Sequence, residues 1–501
     1  MPEFRAQPSK ARVAREALRD KGQFWTPDWV ARAMVRFVLR SGNEVFDPAV
    51  GAGAFLSAAK AIGLAEGITI RLRGSELHAP VLAQARSRGL SARELERVEI
   101  GDFLRMQPEP APTGIVANPP YIRHHRLDSA TKQFLKALAR RVTGFVVDGR
   151  AGYHVYFLIQ ALSLLPQRGR LAFIIPADTC EGVFAPRLWA WIAEQFRIEA
   201  VIRFQAGATP FPTVDTNPVV VLISREPPRD ELLWARCLSA NAPAFERWVS
   251  DGMQTHDSAA FTAVRRPLGE ALATGLSRDP ALLTEGAPVL GDYFHVMRGI
   301  ATGANAFFFL TQAQARTLGI PAEFLFPAVG RTRDVSGDRL SAMDLDQLDR
   351  DGRPTLLFAP DERPLGAFPK RVRDYLTSAA SEGLAARALI STRRPWYRME
   401  RREPPPFLFA YLGRRNARFI RNDAGARPLT GFLCVYPRAT TDPHWRARLW
   451  RLLSDPRTVA ALPLVGKSYG GGALKVEPRA LERLPLASAL VAEAGIAPAS
   501  A

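Results

Sequence analysis

The chain has 501 residues, 47% of them hydrophobic and 23% charged, enough for two or three packed domains with sizeable cores. A formal net charge of +18 points to a polyanionic partner, nucleic acid above all. Three widely separated cysteines, Cys180, Cys237 and Cys434, exclude a disulfide framework and a cysteine-based zinc site. No apolar run reaches the roughly 18 residues of a membrane span, and the N-terminus lacks the apolar core of a secretory signal. A cytoplasmic protein without a structural metal is therefore expected.

Residues 1–20 are polar and basic and read as an arm or a loose first helix. Thr26 before Pro27 predicts an N-cap with proline at the first helical position. Apolar Val30, Met34, Val35 and Val38 then recur at helical spacing. Residues 44–56, EVFDPAVGAGAFL, read as a strand ending in Asp47-Pro48, a turn carrying Gly51 and Gly53, and a helix from Phe55 to Ile62. Glycines there let backbone approach a ligand, and the new helix offers free N–H groups. The next strand, Ile68 to Glu76, ends in an acid about 20 residues beyond the glycines, the spacing at which dinucleotide-type folds hold ribose hydroxyls. A third strand, Val98 to Phe103, ends in Asp102-Phe103, an acceptor for an amino group beside a ring that can cover a planar base.

A short apolar strand, Gly114 to Ala117, runs into Asn118-Pro119-Pro120-Tyr121 and a basic loop, Ile122 to Arg126. Two prolines in a row hold this tetrapeptide extended at the strand's carboxyl end, where open α/β sheets place ligands. An amide acceptor beside a flat phenol suits a planar, amine-bearing substrate such as a nucleobase. His124 and His125 lack spaced carboxylate or cysteine partners, so they read as phosphate-side loop residues rather than metal ligands.

Helices near 129–141, 153–165 and 187–196 alternate with strands at 171–176, 199–204 and 218–223, which predicts a mostly parallel sheet covered on both faces. The last two strands, around the loop 205–217, can form an antiparallel hairpin. Beyond about residue 225 the alternation fades, and 240–285 read as a connecting region. A second domain begins near Val289 and carries Arg331 and Arg333, the run Arg393-Arg394-Pro395-Trp396-Tyr397-Arg398, and Arg414 and Arg415 near Phe419. Arginines interleaved with aromatics suit phosphate contacts with base stacking or edge reading.

Together these residues resemble the N6-adenine DNA methyltransferases of the gamma motif order. In that family the cofactor motifs precede Asn-Pro-Pro-Tyr and a target-recognition domain follows. The resemblance covers nearly the whole chain beyond the first 20 residues. It implies an α/β, class I S-adenosylmethionine-dependent methyltransferase domain, Rossmann-like with a mostly parallel sheet, over residues 1–270. A C-terminal mixed α+β domain for DNA target recognition follows over 286–501.

Carried over by residue, Thr26 and Pro27 match the motif at the carboxylate end of S-adenosyl-L-methionine. Asp47, Pro48, Gly51, Gly53 and Phe55 match the cofactor loop, Glu76 the ribose acid, and Asp102 and Phe103 the adenine contacts. Asn118, Pro119, Pro120 and Tyr121 match the catalytic motif, with Asn118 also beside the cofactor. Phe211 matches the aromatic on the opposite face of a flipped base. The chain departs from the family pattern at Gly152-Tyr153-His154, where an acid and a Tyr are commoner.

The implied reaction is methyl transfer to N6 of adenine in double-stranded DNA after base flipping, within a restriction–modification or related defence system. A monomer is expected, with a cognate restriction endonuclease as a possible companion. Arg123, Arg331, Arg333, Arg394, Arg414 and Arg415 are the expected DNA contacts. Methyltransferases acting on RNA or on protein glutamine also carry Asn-Pro-Pro-Tyr, but Thr26-Pro27 and the basic second domain stand against them. The modification half of a restriction–modification fusion is a further alternative, although Pro360-Asp361 lacks a downstream partner for a nuclease site.

Overall fold

The computed structural model describes residues 25–182, 184–212, 217–240, 242–280, 288–411, 417–439, 444–469 and 473–495. The chain divides into two compact units between residues 281 and 282.

The first unit is built on one sheet of ten strands. These are β1 (Glu44–Asp47), β2 (Arg71–Glu76), β3 (Val98–Ile100), β4 (Gly114–Ala117), β5 (Arg170–Pro176), β6 (Arg197–Phe204), β7 (Pro218–Ser224), β8 (Glu231–Cys237), β9 (His256–Asp257) and β10 (Phe261–Pro267). Their order is β3-β2-β1-β4-β5-β7-β6-β8-β10-β9. From β3 to β5 every pairing is parallel, and β7 runs antiparallel between β5 and β6. The central strands β4, β5 and β7 are almost wholly apolar because both their faces are covered.

On one face lie α1 (Asp28–Leu39) and α2 (Ala54–Glu66), packed on Val45, Val116, Ala172 and Ile174. On the other lie α3 (Ser129–Thr143), α4 (Tyr153–Leu164) and α5 (Ala185–Gln195), packed on Phe46, Ile115, Phe173 and Ile175. The chain works outward from β1 to β3, then returns to β4 on the far side of β1. That reversal opens a crevice at the carboxyl ends of β1 and β4, the place where doubly wound sheets bind ligands.

Two boundaries differ from the sequence reading. Pro27, not Thr26, is the N-cap of α1; its carbonyl accepts the Val30 and Ala31 N–H groups, each at 3.0 Å. Residues 240–267 are not a connector. β8 pairs parallel with β6, β10 and β9 add antiparallel strands beyond it, and α6 (Ala242–Ser250) packs on α1. Glu246 of α6 accepts from Arg32 at 2.7 and 2.9 Å and from Arg36 at 3.1 Å. The alternation was hidden because β10 buries Phe261 and Ala263 but turns Val264 and Arg265 outward, unlike the continuous apolar runs of the central strands.

The first unit also extends past residue 270. The fully buried Arg266 guanidinium pairs with Glu270 and donates to the carbonyls of Leu276 at 3.0 Å and Arg278 at 2.7 Å. Asp279 binds Arg203 at 2.8 Å and Arg236 at 2.6 Å, tying the segment to β6 and β8.

The second unit has a five-stranded sheet, a four-stranded sheet and a two-stranded ribbon. β11 (Phe294–Arg298), β14 (Arg339–Leu340), β16 (Phe407–Ala410), β17 (Arg418–Asn422) and β19 (Phe432–Pro437) form the first, in the order β11-β19-β16-β17-β14. β12 (Phe309–Leu310), β13 (Leu325–Val329), β15 (Leu356–Phe358) and β18 (Arg427–Pro428) form the second, in the order β12-β15-β13-β18. Helices such as Lys370–Ser381 and Trp445–Ser454 complete separate apolar clusters, so the unit is mixed α+β.

Replacing Arg266 by Met leaves several buried carbonyls and Glu270 without their donor. The expected loss is about 3 kcal/mol of stability, read as a lower midpoint in urea unfolding.

Candidate active site

The turn after β1 builds the site. The Asp47 carboxylate accepts the Ala49 N–H at 3.0 Å and is 1% exposed. Gly53 follows at φ +76°, where a Cβ would lie 2.7 Å from Leu90 Cδ1, so the tight entry into α2 requires glycine on both counts. Glu76, at the end of β2, reaches back to this turn. One of its oxygens accepts the Gly51 N–H at 2.8 Å and the other the His78 N–H at 3.0 Å. Each carboxylate oxygen keeps a further lone pair for a ligand hydroxyl. Asp102 caps the turn after β3 by accepting the Leu104 N–H at 3.1 Å.

These ends surround a cavity of about 370 Å³, within the usual range of roughly 300–1,000 Å³ for small-molecule sites. Of the expected residues, Thr26, Asp47, Pro48, Gly51, Phe55, Glu76, Asp102, Phe103, Asn118 and Pro120 line it. Pro27, Gly53, Pro119, Tyr121 and Phe211 are not among its described lining residues. Phe103 is 1% exposed and packs against Phe46 and Phe157, so it presents only a small part of its ring to the cavity.

Trp25, His78, Gln84, Ile122, Tyr153 and Phe157 also line the cavity, although the sequence motifs do not mark them. Tyr153 and Phe157 stand four apart at the start of α4, a spacing that could have marked them as one helix face. Burial pushes the Tyr153 phenol up to about 12, with Asp102 adding to the shift, so it remains a neutral donor.

Asn118 leaves β4 into this cavity, and Tyr121 turns back toward β5. The Tyr121 hydroxyl donates to the Ile174 carbonyl at 3.0 Å, and burial pushes its phenol well above the ordinary value. Phe211 is 4% exposed and belongs to the core on the α1–α2 face.

Arg123, beside the short turn His124–Arg126, is exposed. In the second unit Arg331, Arg333 and Arg394 are exposed as well. Arg394 donates to the carbonyls of Ser391 and Arg393, whereas neighbouring Arg393 is half-buried and braces the Ala301 and Thr302 carbonyls, both at 2.8 Å. Arg414 and Arg415 lie outside the described residues.

A switch-point cavity with strand-end acids and Asn-Pro-Pro-Tyr at its rim, on this sheet, defines a class I methyltransferase followed by a mixed α+β domain. Comparison with known proteins agrees. Residues 11–229 match the N-6 DNA Methylase family, and residues 282–498 match the C-terminal domain of Type II methyltransferase M.Eco57I. Its first unit is thus similar to N6-adenine DNA methyltransferases, and the chain as a whole to Type II methyltransferases. It is 23% identical over 433 residues to Type II methyltransferase M.AccI of Acinetobacter calcoaceticus, covering 84% of this chain and 77% of that protein. It is 25% identical over 480 residues to Type II methyltransferase M.XamI of Xanthomonas campestris pv. amaranthicola, covering 93% and 85%. Among solved structures, the Type IIL restriction–modification enzyme MmeI in complex with DNA shares the fold at a TM-score of 0.51 and 12% identity. The match covers 96% of this chain and 64% of that one.

Burial pushes the Asp47 carboxyl up to about 8, the Ala49 N–H opposes this, and the neighbouring Glu76 adds to it. An unfolded Asp titrates near pH 3.9. Between these values the folded protein holds a proton that the unfolded chain has released, so stability falls as pH rises. Asp47→Asn removes that dependence. In ligand-free thermal melts its melting temperature should gain on the wild type's progressively from pH 4 to pH 8.

Proposed function

We propose that this protein transfers a methyl group from S-adenosyl-L-methionine to N6 of adenine in double-stranded DNA, after the target base has left the helix, as the modification activity of a restriction–modification system. The observation that carries the reading is Asn118-Pro119-Pro120-Tyr121 at the carboxyl end of β4, on the rim of a cavity walled by Asp47, Glu76 and Asp102. The match to the N-6 DNA Methylase family and the similarity to Type II methyltransferases support DNA as the substrate.

The cavity fits the cofactor. Thr26 Oγ1 is buried with no hydrogen-bond partner at one wall, where a cofactor carboxylate would take it. The remaining lone pairs of Glu76 suit ribose hydroxyls, and Asp102 with Tyr153 and Phe157 suits an adenine ring and its amino group. Pro27, Pro48, Gly51, Gly53 and Phe55 shape the backbone around that ligand. When bound, S-adenosyl-L-methionine supplies an electrophilic methyl group.

The chain's own task is to make an aromatic amine nucleophilic. The N6 lone pair is delocalised into the ring. The Asn118 side-chain oxygen and the Pro119 carbonyl accept the two N6 hydrogens, which favours a pyramidal nitrogen and directs its lone pair outward. This is catalysis by positioning and preorganised dipoles. No strong base is required, because the alkylated nitrogen is itself acidic.

N6 is out of reach inside the duplex, so the base must flip. Tyr121 stacks on one face of the flipped base, a contact worth roughly 1–3 kcal/mol. Phe211 takes the other face, which requires its ring to leave the core packing described above when DNA binds. Arg123, Arg331, Arg333, Arg394, Arg414 and Arg415 contact DNA, and the second unit selects the sequence. A separate cognate endonuclease is the companion activity. Among the described residues no helix is long and apolar enough to cross a membrane.

Asn118→Ala should abolish turnover while leaving cofactor affinity by calorimetry within about twofold, because the lost contact acts in the transition state. Full activity in that variant would refute the mechanism. Arg331→Ala and Arg333→Ala test the second unit by titration across salt. A lost phosphate contact weakens all duplexes alike and flattens the salt slope by about one unit. A lost base contact instead costs roughly 1–3 kcal/mol on the cognate sequence alone.

A further inference from the structure

His154 stands behind Tyr121, and nothing in the mechanism so far uses it. It lies in the first turn of α4, is 8% exposed, and its ring meets Tyr121 edge-to-face with centroids 5.7 Å apart at 70°. Nε2 is 2.9 Å from Thr179 Oγ1, on the short helix that follows β5, and Nδ1 is buried with no hydrogen-bond partner. Two polar nitrogens inside the protein are costly, and a leucine or phenylalanine would fill the space without that cost. Gly152 is shaped to this ring: a Cβ there would lie 2.6 Å from His154 Cε1 and 2.9 Å from Nδ1.

The surroundings converge on Tyr121. Its hydroxyl is held by the Ile174 carbonyl of β5. The backbone just beyond it is held by the Tyr153 N–H, which donates to the Ile122 carbonyl at 2.9 Å. His154 supplies a third hold, on the ring itself. It is fastened through Thr179 to the segment after β5 and through its own backbone to the helix that carries Tyr153. A phenol held by its hydroxyl alone can still rock about the line from Cβ to that oxygen, and a neighbouring ring removes this freedom.

We propose that His154 is a positioning residue that fixes the plane of the Tyr121 ring for stacking of the flipped base. The inference rests on the stacking role given to Tyr121 above. Burial brings the imidazole down to about 4, against a smaller opposing effect of Asp178, so the ring stays neutral and the wall unchanged through the working pH range. Neutral imidazole with Nε2 donating to Thr179 leaves the Nδ1 lone pair at the start of α4, the end of a helix that favours negative charge. The sequence departs from its family at this place, and the structure shows a ring there rather than an acid.

The test uses the full chain and unmethylated plasmid DNA carrying the recognition sequence, first identified by sequencing methylated DNA from expressing cells. kcat and KM for DNA are measured for His154→Ala, His154→Phe, Gly152→Ala, Tyr121→Ala and the His154→Ala/Tyr121→Ala double variant, with cofactor affinity by calorimetry as the control for folding. His154→Ala should lower kcat/KM about tenfold, mainly through KM, with cofactor affinity within about twofold. His154→Phe should recover most of the loss, and Gly152→Ala should reproduce it by displacing the ring. In the Tyr121→Ala background, His154→Ala should cost less than twofold more. Wild-type kinetics in both His154→Ala and Gly152→Ala, or fully additive losses in the double variant, would overturn the inference while leaving Tyr121 in place. Wild-type kinetics in Tyr121→Ala would instead overturn the stacking role itself. If His154→Ala loses cofactor binding, His154→Phe and Gly152→Ala decide the matter: a deep loss in His154→Phe with cofactor binding intact excludes a role for the ring as a wall.

Discussion

The site depends on the Glu76 carboxylate reaching across from the end of β2 to the Gly51 N–H in the turn after β1. Parallel strands have no hairpin to fix the relation of their carboxyl ends, so the loops there need a tie of their own. Glu76 provides it, accepting from Gly51 and His78 with opposite oxygens. A charged acceptor on backbone donors in a poorly hydrated place is stronger than a neutral one. Asp47 beside it holds its proton more tightly, chiefly because it is buried, with Glu76 adding to the effect. The cavity floor is therefore tied by hydrogen bonds within the chain itself, and its buried carboxyl is a local penalty that the rest of the sheet must outweigh.

That part of the molecule was legible in the sequence because its signals are local. Asp47, Gly51, Gly53, Glu76 and Asp102 sit at strand ends or in the turns just after them, in consecutive segments of the chain. Asn118 to Tyr121 was legible for the same reason, since two prolines announce a fixed loop. β8 and β10 were harder because they bury one face more than the other and interleave arginine with apolar residues. The N-cap at Pro27 differs from the reading by one residue, because Thr26 keeps its hydroxyl out of helix capping.

Side chains whose roles depend on distant partners were not legible. Phe211, flanked by prolines, matches by resemblance the aromatic on the opposite face of a flipped base, yet its surroundings are the core of the α1–α2 face. Arg393 and Arg394 are adjacent and chemically identical, but one braces carbonyls through Ala301 and Thr302 and the other is exposed. Arg266 gives no sign in the sequence that it is fully buried, because the carbonyls it binds come from residues with unrelated side chains. Backbone acceptors leave no compositional trace.

The reversed strand β7 has one more consequence. Because it runs antiparallel to β6, the residues joining them begin and end at the carboxyl edge of the sheet and need no helix to carry the chain back across a face. A crossover of fixed span would have tied the length of that segment to the packing of a helix. A hairpin end is released from this constraint, and lengthening it adds little closure entropy. The carboxyl edge of the sheet can thus change its contour by insertion and deletion while the doubly wound core behind it stays as it is. The fold separates the part of the enzyme free to diversify from the part that must hold still.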